Sequence, residues 1–251
     1  MIKKINTNTL RMVKSAKEIL ILQHADNEGP GSFADYFASK GWSLRTIHMG
    51  QTPLKLSDML NAAAVISMGG PINVYETNKY PFLKGEEEFI QNSMTRHIPI
   101  LGICLGAQIL AKSCGAAVSK APVKELGWYN VNLTDTGRKD PLFEGIAGQF
   151  TVFQYHEDTF AVPQSARLLA AGDKCANQAF CCGQHAYGLQ FHLEVSIDMV
   201  KDWVSEPIAR GDKEFNYDMI VKASEEFDGD IRIQAFDLCR NFEKIIVQAH
   251  A

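Results

Sequence analysis

Residues 99–111 read PILGICLGAQILA, and this stretch joins an apolar, strand-like run to a helix-like one. A short apolar run bounded by a turn is typical of a buried strand. Gly102 and Gly106 allow the chain to turn sharply where the strand gives way to the helix. Cys104 lies in that turn, so we expect its side chain to stand above the edge of a sheet.

The first half of the chain repeats this alternation of strand-like and helix-like runs. EILILQ at 18–23 and AVISMGG at 64–70 are strand-like, and the helix-like PFLKGEEEFIQNSMTRH follows. The alternation predicts an α/β fold with an open, mostly parallel central sheet and helices on both faces. Ligands bind at the carboxyl ends of such strands, so ILQHADNEGPG, ISMGGPINVYE and ILGICLGAQ should converge there.

The pattern changes in the second half. Closely spaced strands between about 128 and 194 predict an antiparallel or mixed extension of the same sheet. Residues 201–251 are helix-like, and they could cover the sheet, form a dimer interface or dock another protein. Because no repeat or linker is present, we expect one domain over 1–251, with its core at about 18–200 and a helical C-terminal extension.

The composition excludes several classes of function. The 251 residues are 46% hydrophobic and 22% charged, with a net charge of -4, as in ordinary soluble proteins. Lysines and arginines are scattered, so we expect no nucleic-acid partner. No apolar run is long enough to span a bilayer, and residues 1–19 lack a secretory signal. We therefore expect a cytoplasmic protein with no membrane partner, whose six cysteines are reduced.

The turn around Cys104 has the features of a nucleophile site. At a helix N-terminus the helix dipole and the free backbone N–H groups favour a thiolate. The N–H of Leu105 would point to the place where an oxyanion develops. The alternative is a buried cysteine that packs as a small hydrophobic residue, which is common. The five-residue pattern alone leaves both interpretations open.

A second motif, AYGLQFHLEV, offers the general acid that a thiolate needs when it cleaves an amide. If this segment is a strand, His192 and Glu194 point to the same face, and the carboxylate can orient the imidazole and stabilise its cation. A His-x-Glu pair alone is more often a surface strand face. Together with the cysteine turn, it favours catalysis.

Six motifs occur in a fixed order, and the series is more specific than any one of them. They are ISMGGPINVYE, PILGICLGAQILA, KELGWYNVNLTDTGRKDPLFEG, FQYHEDTFAVPQSARLLA, NQAF and YGLQFHLEV. Over roughly residues 18–200 the series resembles the class I glutamine amidotransferases, most closely the stand-alone members similar to the glutaminase domain of GMP synthase. The resemblance implies the flavodoxin-like sheet of that family.

The resemblance also implies roles for individual residues. Cys104 matches the nucleophile, His192 the acid/base and Glu194 its orienting carboxylate. The backbone N–H groups of Gly70 and Leu105 match the oxyanion hole. The remaining matches are to positions that contact the substrate glutamine: Gln108, Tyr155, His156 and Asp158.

The implied reaction is attack of Cys104 on the γ-carbonyl of glutamine or a related γ-glutamyl compound, followed by hydrolysis of the thioester. No cofactor or metal is required. The ammonia could pass to a separate synthetase subunit, or the enzyme could hydrolyse γ-glutamyl peptides or conjugates. A catalytically silent binding or regulatory module is the alternative of another class.

Two departures from the family pattern stand out. Leu193 occupies a position between the histidine and the glutamate where the family usually has proline, which should alter stiffness more than chemistry. No phosphate-binding turn of an ATP-dependent synthetase domain follows residue 200, so this chain alone is not expected to make GMP.

Other polar residues have weaker interpretations. A metal site could be formed by Cys175, Cys181, Cys182 and His185, but adjacent cysteines on a strand point to opposite faces, so ordinary buried cysteines are favoured. His24 and Glu28 could shape the substrate entrance or simply pack a loop. Cys114 lies about three helical turns beyond the nucleophile and is expected in the core.

Overall fold

The computed structural model describes residues 17–211 and 213–251, which form one mixed sheet flanked by helices. The predicted lack of a secretory signal in residues 1–19 falls almost entirely outside these ranges. The strands are β1 (Glu18–Gln23), β2 (Ser43–His48), β3 (Ala64–Ser67), β4 (Ile100–Ile103), β5 (Val118–Leu133), β6 (Gln149–Phe160), β7 (Ala166–Gly172), β8 (Ala179–Cys182) and β9 (Ala186–Leu189). The α-helices are α1 (Gly31–Ser39), α2 (Phe82–Thr95), α3 (Leu105–Ser113), α4 (Ile197–Ala209) and α5 (Tyr217–Ala249). Short 3-10 helices lie at Leu56–Asn61, Gly137–Lys139 and Pro141–Phe143.

The sheet runs in the order β2-β1-β3-β4-β9-β8-β7-β5-β6. Strands β2, β1, β3, β4 and β9 pair in parallel. Strands β8, β7, β5 and β6 continue the sheet through antiparallel pairs. The parallel part follows the flavodoxin-like order, so the predicted parallel sheet with an antiparallel extension is confirmed.

Both faces of β1, β3, β4 and β9 are buried, which explains their continuous apolar runs, whereas the edge strand β2 is partly exposed. On β1, Ile19 and Ile21 belong to one hydrophobic cluster, whereas Leu20 and Leu22 belong to the other. Successive strand side chains point to opposite faces, so one strand serves both clusters. Helices α1, α4 and α5 contribute to the first cluster, and α2 and α3 contribute to the second.

The helix-like C-terminal residues form α4 and α5, as the pattern predicts. Leu238 and Phe242 of α5 are fully buried in the first cluster. The Glu243 carboxylate accepts hydrogen bonds of 2.8 Å each from the Tyr36 hydroxyl and the Trp42 indole N–H. Of the three roles left open by the sequence, covering the sheet is the one that these contacts support.

The strand predicted to carry His192 and Glu194 is shorter than expected. β9 ends at Leu189, and the next five residues form a bend. His192 keeps a single antiparallel bridge, donating its N–H to the carbonyl of Phe153 at 2.8 Å. The Leu193 N–H bonds the Glu194 carboxylate at 3.1 Å instead of a neighbouring strand. The two site residues therefore meet in a bend, and the strand argument for their contact is wrong.

Within the described ranges, none of the helices is both long and apolar enough to cross a membrane. All six cysteines are free thiols. Cys181 packs in the first cluster and Cys182 in the second, so these neighbours point to opposite faces of β8 as expected.

Candidate active site

Cys104 occupies a strained turn between β4 and α3. Its φ is 49° and its ψ is -103°, a combination that residues with a side chain rarely adopt. The turn is held by the Cys104 N–H, which donates to Leu189 at 2.7 Å, and by the Cys104 carbonyl, which accepts from Gln108 at 3.0 Å. The sequence prediction of a sharp turn with the cysteine at a helix N-terminus agrees with this geometry.

Two glycines allow the turn to pack against β3. A Cβ on Gly106 would lie 2.1 Å from the carbonyl oxygen of Ser67, and a Cβ on Gly102 would lie 2.5 Å from that of Gly106. The Gly106 N–H donates to the Met68 carbonyl at 3.1 Å. These close approaches exclude any larger residue and bring the ends of β3 and β4 together.

The thiol of Cys104 faces β6 and the chain beyond β9. It lies 3.7 Å from the carbonyl of Tyr155, to which it can donate. The side-chain amide of Gln190 approaches the sulfur at 3.7 Å as a donor. Gln190 is fully buried, and no motif in the sequence predicts its place beside the thiol.

His192 and Glu194 form a buried pair, with 2.6 Å between Nδ1 and Oε1. Each residue is 1% exposed. Burial alone would lower the pKa of His192, but the Glu194 carboxylate and a side-chain interaction with Cys104 outweigh it and raise that pKa well above the ordinary value. The imidazolium form is therefore favoured at neutral pH, as a general acid requires.

Trp203 of α4 closes the far side of His192. The two rings meet edge to face, with their centroids 4.9 Å apart. The indole N–H donates to the carbonyl of Asn27 at 2.9 Å, which ties α4 to the segment after β1. Trp203 also lines the cavity next to His192, and no local motif predicts this role.

The segment after β3 approaches Cys104 from the other side. A Cβ on Gly69 would lie 2.5 Å from the Glu28 carboxylate, and a Cβ on Gly70 would lie 2.7 Å from the Leu105 side chain. Within residues 17–211 and 213–251, no acceptor bonds the backbone N–H of Gly70 or of Leu105. Both predicted oxyanion donors are thus uncommitted beside the thiol.

A cavity of about 320 Å³ opens at this point of the sheet. The ends of β1, β3 and β4 meet there, as predicted for the three motifs. Glu194 is not among the lining residues because it lies behind His192. The other predicted site residues all line the cavity: Gly70, Cys104, Leu105, Gln108, Tyr155, His156, Asp158 and His192.

The predicted substrate residues differ in the partners that the protein gives their side chains. Asp158 is 4% exposed, and its Oδ1 lies 3.3 Å from the Lys120 ammonium. The Gln108 amide donates to the Asp158 backbone carbonyl at 3.1 Å and faces Gln190 at 3.4 Å. His156 is held between Glu125 at 3.0 Å and the Asp158 backbone carbonyl at 3.0 Å. Its ring nitrogens therefore already have partners in the protein.

Cys175 joins a different group from the metal site considered above. Its sulfur lies with Glu125 and His156, all three being buried and within 4.8 Å of one another. The Cys175 thiol bonds the Thr159 hydroxyl at 3.1 Å, and the Gln178 amide donates to Glu125 at 3.1 Å. We infer that these buried residues hold the His156 ring in place.

Glu28 lines the cavity, and the pKa of its carboxyl group is raised. Burial is the largest cause, the Glu194 carboxylate adds to it, and His192 partly offsets both. Its carboxylate reaches the Gly69 backbone, near the His192 ring. Lys120 and Glu206 also line the cavity, although no sequence pattern singled them out.

Residues 31–202 match the family model described as "Glutamine amidotransferase class-I". The chain belongs to this family. The matched range contains every proposed site residue, so the predicted family resemblance is confirmed. Family membership establishes the general class of protein, whereas the substrate has to be argued from the site.

Similar proteins include an amidotransferase-like protein close to this chain in length and much longer GMP synthases. The glutamine amidotransferase-like protein YfeJ of Salmonella typhimurium is 28% identical over 183 residues, covering 71% of this chain and 76% of that protein. A glutamine-hydrolysing GMP synthase of Thermosipho africanus is 34% identical over 149 residues, covering 59% of this chain and 27% of the synthase. The chain thus spans about a quarter of such synthases.

A solved structure extends the likeness to nearly the whole fold. The crystal structure of a glutamine amidotransferase from Thermotoga maritima has a TM-score of 0.80 and 30% identity. The match covers 91% of this chain and 97% of that one. The match in three dimensions thus covers a larger share of the chain than residues 31–202, which the family model matches.

Proposed function

We propose that this protein hydrolyses the γ-amide of glutamine, or of a related γ-glutamyl compound, through a thioester on Cys104. The observation that carries the proposal is the meeting of a strained cysteine, a buried His192–Glu194 pair at 2.6 Å and two uncommitted N–H groups at one cavity. This combination supplies a nucleophile, a general acid and an electrostatic site for an oxyanion.

In the acylation step, the Cys104 thiolate attacks the γ-carbonyl carbon and a carbon–sulfur bond forms. The carbonyl electrons move to oxygen, which accepts hydrogen bonds from the N–H groups of Gly70 and Leu105. His192 then gives its proton to the leaving nitrogen as the carbon–nitrogen bond breaks. Glu194 stabilises the imidazolium before this transfer and orients the ring throughout.

In the deacylation step, neutral His192 takes a proton from water, and the hydroxide oxygen attacks the thioester carbonyl. The same two N–H groups hold the second oxyanion. Collapse of this intermediate breaks the carbon–sulfur bond, releasing glutamate and returning the Cys104 thiolate beside a His192 imidazolium. The new γ-carboxyl group keeps one of the two water protons and loses it to the released ammonia, so glutamate and ammonium are the products and the enzyme regains its starting charge.

The leaving nitrogen must lie beside His192, so the walls next to that ring bear on the leaving group. Trp203 and Glu28 lie next to that ring, and Glu206 lines the same cavity. Carboxylates there favour ammonia or an amine over an anionic product. Hydrolysis of γ-glutamyl amine or peptide conjugates is therefore a second candidate alongside glutamine hydrolysis, and it uses the same catalytic residues.

The fate of the ammonia is a separate part of the proposal. The GMP synthases are about four times the length of the region that this chain matches, and they carry a glutamine-hydrolysing activity by name. A separate synthetase that receives ammonia would give this chain an equivalent partner.

Six free thiols support the expected cytoplasmic setting.

The experiment is an assay of glutamate, ammonia and amine release by the purified chain, using glutamine and a panel of γ-glutamyl dipeptides and amines. Cys104→Ala is the test variant and Cys114→Ala the control, because both cysteines flank the same helix α3. We expect release that Cys104→Ala abolishes and Cys114→Ala keeps. Release that survives in Cys104→Ala would refute the proposal.

The pattern of substrates then separates the candidates. Faster cleavage of γ-glutamyl amines or peptides than of glutamine identifies a conjugate hydrolase. Slow turnover of glutamine that increases with a synthetase partner identifies an ammonia supplier. If no substrate turns over and Cys104 is not acylated by any of them, the silent module is the correct interpretation.

A further inference from the structure

A buried chain of hydrogen bonds ends on the backbone of Gly69 and Gly70, which we call the oxyanion segment. The Ser67 hydroxyl donates to Glu86 Oε1 at 2.7 Å, and Glu86 Oε2 lies 2.8 Å from His24 Nε2. His24 Nδ1 lies 3.2 Å from the carbonyl oxygen of Gly69. The side chains of His24 and Glu86 are both 0% exposed. None of these three side chains has a role in the proposed reaction.

The partners on each side decide where the protons lie. The Gly69 carbonyl can only accept, so His24 Nδ1 must carry a proton to bond it. Glu86 Oε1 already accepts from Ser67, and Oε2 faces Nε2. Burial opposes the charged form of His24, but Glu86 and the Gly69 carbonyl outweigh it and raise the pKa of this residue. The arrangement thus places a proton on Nδ1, and Glu86 favours a second proton on Nε2.

The bond to Gly69 acts directly on the proposed oxyanion donor. The carbonyl of Gly69 and the N–H of Gly70 belong to one planar peptide unit, in which they point in opposite directions when the peptide is trans. Gly70 lines the cavity, and its N–H has no acceptor in the described ranges. Fixing the carbonyl on His24 therefore fixes the N–H toward the cavity.

The two glycines make such a restraint necessary. A Cβ at Gly70 would lie 2.7 Å from the Leu105 side chain and 2.8 Å from the His24 Cβ, and a Cβ at Gly69 would lie 2.5 Å from the Glu28 carboxylate and 3.0 Å from the His192 ring, so the two glycines let this segment run close to the site. Glycine, however, has the widest range of backbone conformations, and a Gly-Gly peptide can turn over at low cost. The restraint has to come from outside the segment.

We propose that His24, held by Glu86, is a positioning residue that locks the Gly69–Gly70 peptide so that the Gly70 N–H faces the developing oxyanion. The inference rests on the proposed function, since it assigns Gly70 to the oxyanion hole. It makes the oxyanion hole a preformed feature of this chain, independent of any partner.

Two substitutions at position 24 separate the two ring nitrogens. The amide nitrogen of Asn can take the place of Nδ1 and bond Gly69, whereas that of Gln takes the place of Nε2 and leaves Gly69 without a donor. Both are made in a Glu86→Gln background, so that neither variant buries an unpaired carboxylate. Glu86→Gln alone is the reference.

We expect His24→Gln to lower kcat by about 100-fold, the loss typical of one oxyanion donor, with KM nearly unchanged. His24→Asn should remain within about tenfold of the reference. Alkylation of Cys104 by iodoacetamide forms no oxyanion, so its rate should be the same in both variants. Equal kcat in the two variants, or parallel loss of alkylation and turnover, would overturn the proposal.

A spectroscopic test needs no substrate and is therefore independent of the proposed function. Gly69–Gly70 is the one Gly-Gly pair in the sequence, so glycine labelled with ¹³C at its carbonyl and ¹⁵N gives a single carbonyl-to-amide correlation. We expect the Gly69 carbonyl signal to lie downfield in the reference and in His24→Asn, and to move upfield in His24→Gln. An unchanged signal in both variants would refute the bond.

The native chain provides a check if the variants fail to fold. The ¹⁵N shifts of the His24 ring should report protons on both nitrogens at neutral pH. A bare Nδ1 would show that His24 does not donate to Gly69 and would overturn the proposal, even if glutamine hydrolysis were established. If the unmodified protein hydrolyses none of the substrates, by contrast, that result would count against the proposed function alone.

Discussion

His192 and Glu194 lie two positions apart on a bend beyond β9, and their side chains are joined by a 2.6 Å contact that excludes solvent. Glu194 also accepts the N–H of Leu193, so its carboxylate bonds both the His192 ring and the backbone next to it. The orientation of His192 is therefore set within three consecutive residues, without the pleat of a strand.

Glu194→Gln should lower kcat and change its pH dependence. The active state pairs a Cys104 thiolate with a His192 imidazolium, and it is lost as pH rises through the raised pKa of His192. Removing the Glu194 charge takes away the main cause that raises this pKa. We therefore expect the alkaline limb of kcat/KM to move to lower pH, with kcat at least about 100-fold lower. A pH profile that keeps its alkaline limb would contradict this role.

Gly70→Ala tests the steric requirement at the oxyanion segment. The added Cβ would lie 2.7 Å from the Leu105 side chain and 2.8 Å from the His24 Cβ, so the segment must move. We expect kcat to fall by about 100-fold or more, measured by glutamate release. The control is Gly85→Ala on α2, where a Cβ meets nothing within 4 Å. It should keep activity and raise the free energy of unfolding by about 1 kcal/mol.

Asp158→Asn tests the proposed recognition of the substrate's α-ammonium group. A carboxylate that is 4% exposed at the cavity wall would pair with that group, and its loss should raise KM by about 10- to 100-fold. The effect on kcat should be much smaller. Steady-state kinetics with glutamine provide the measurement, with the surface variant Asp135→Asn for comparison. A fall in kcat at constant KM would place Asp158 in the chemical step instead.

Two substitutions on α5 test whether this helix is part of the core. Phe242 is fully buried, and Phe242→Ala should lower the free energy of unfolding by about 3 to 5 kcal/mol. Ile233 is 63% exposed on the same helix, and Ile233→Ala should change it by no more than about 0.5 kcal/mol. Chemical denaturation measures both. Similar values for the two variants would show that α5 does not pack as described.

Much of the fold and the turn that carries Cys104 follow from local sequence. The apolar runs of β1, β3 and β4 are bounded by turns, and Gly102 and Gly106 mark the sharp connection around Cys104. The order of the motifs then indicates the family. These features are readable because each depends on residues that are close together in the chain.

The rest of the site depends on distant parts of the chain. Trp203 reaches His192 through the docking of α4, and Gln190 reaches Cys104 only because β9 lies next to β4. The bond between His24 and Gly69 spans 45 positions. No periodicity or spacing encodes such contacts. The bend after Leu189 is unpredictable for a similar reason, because the motif has the alternation of a strand but bridges β6 only at His192.

The most direct test of the central claim is detection of the γ-glutamyl thioester on Cys104. The protein is mixed with glutamine or γ-glutamyl p-nitroanilide, quenched in acid and digested, and the mass of the peptide containing Cys104 is measured by mass spectrometry. Parallel reactions contain hydroxylamine, which traps the thioester as a hydroxamate. We expect a γ-glutamyl adduct on Cys104 and the same ratio of hydroxamate to glutamate from both substrates, since both form one intermediate. An unmodified Cys104 together with a ratio that depends on the leaving group would contradict the account.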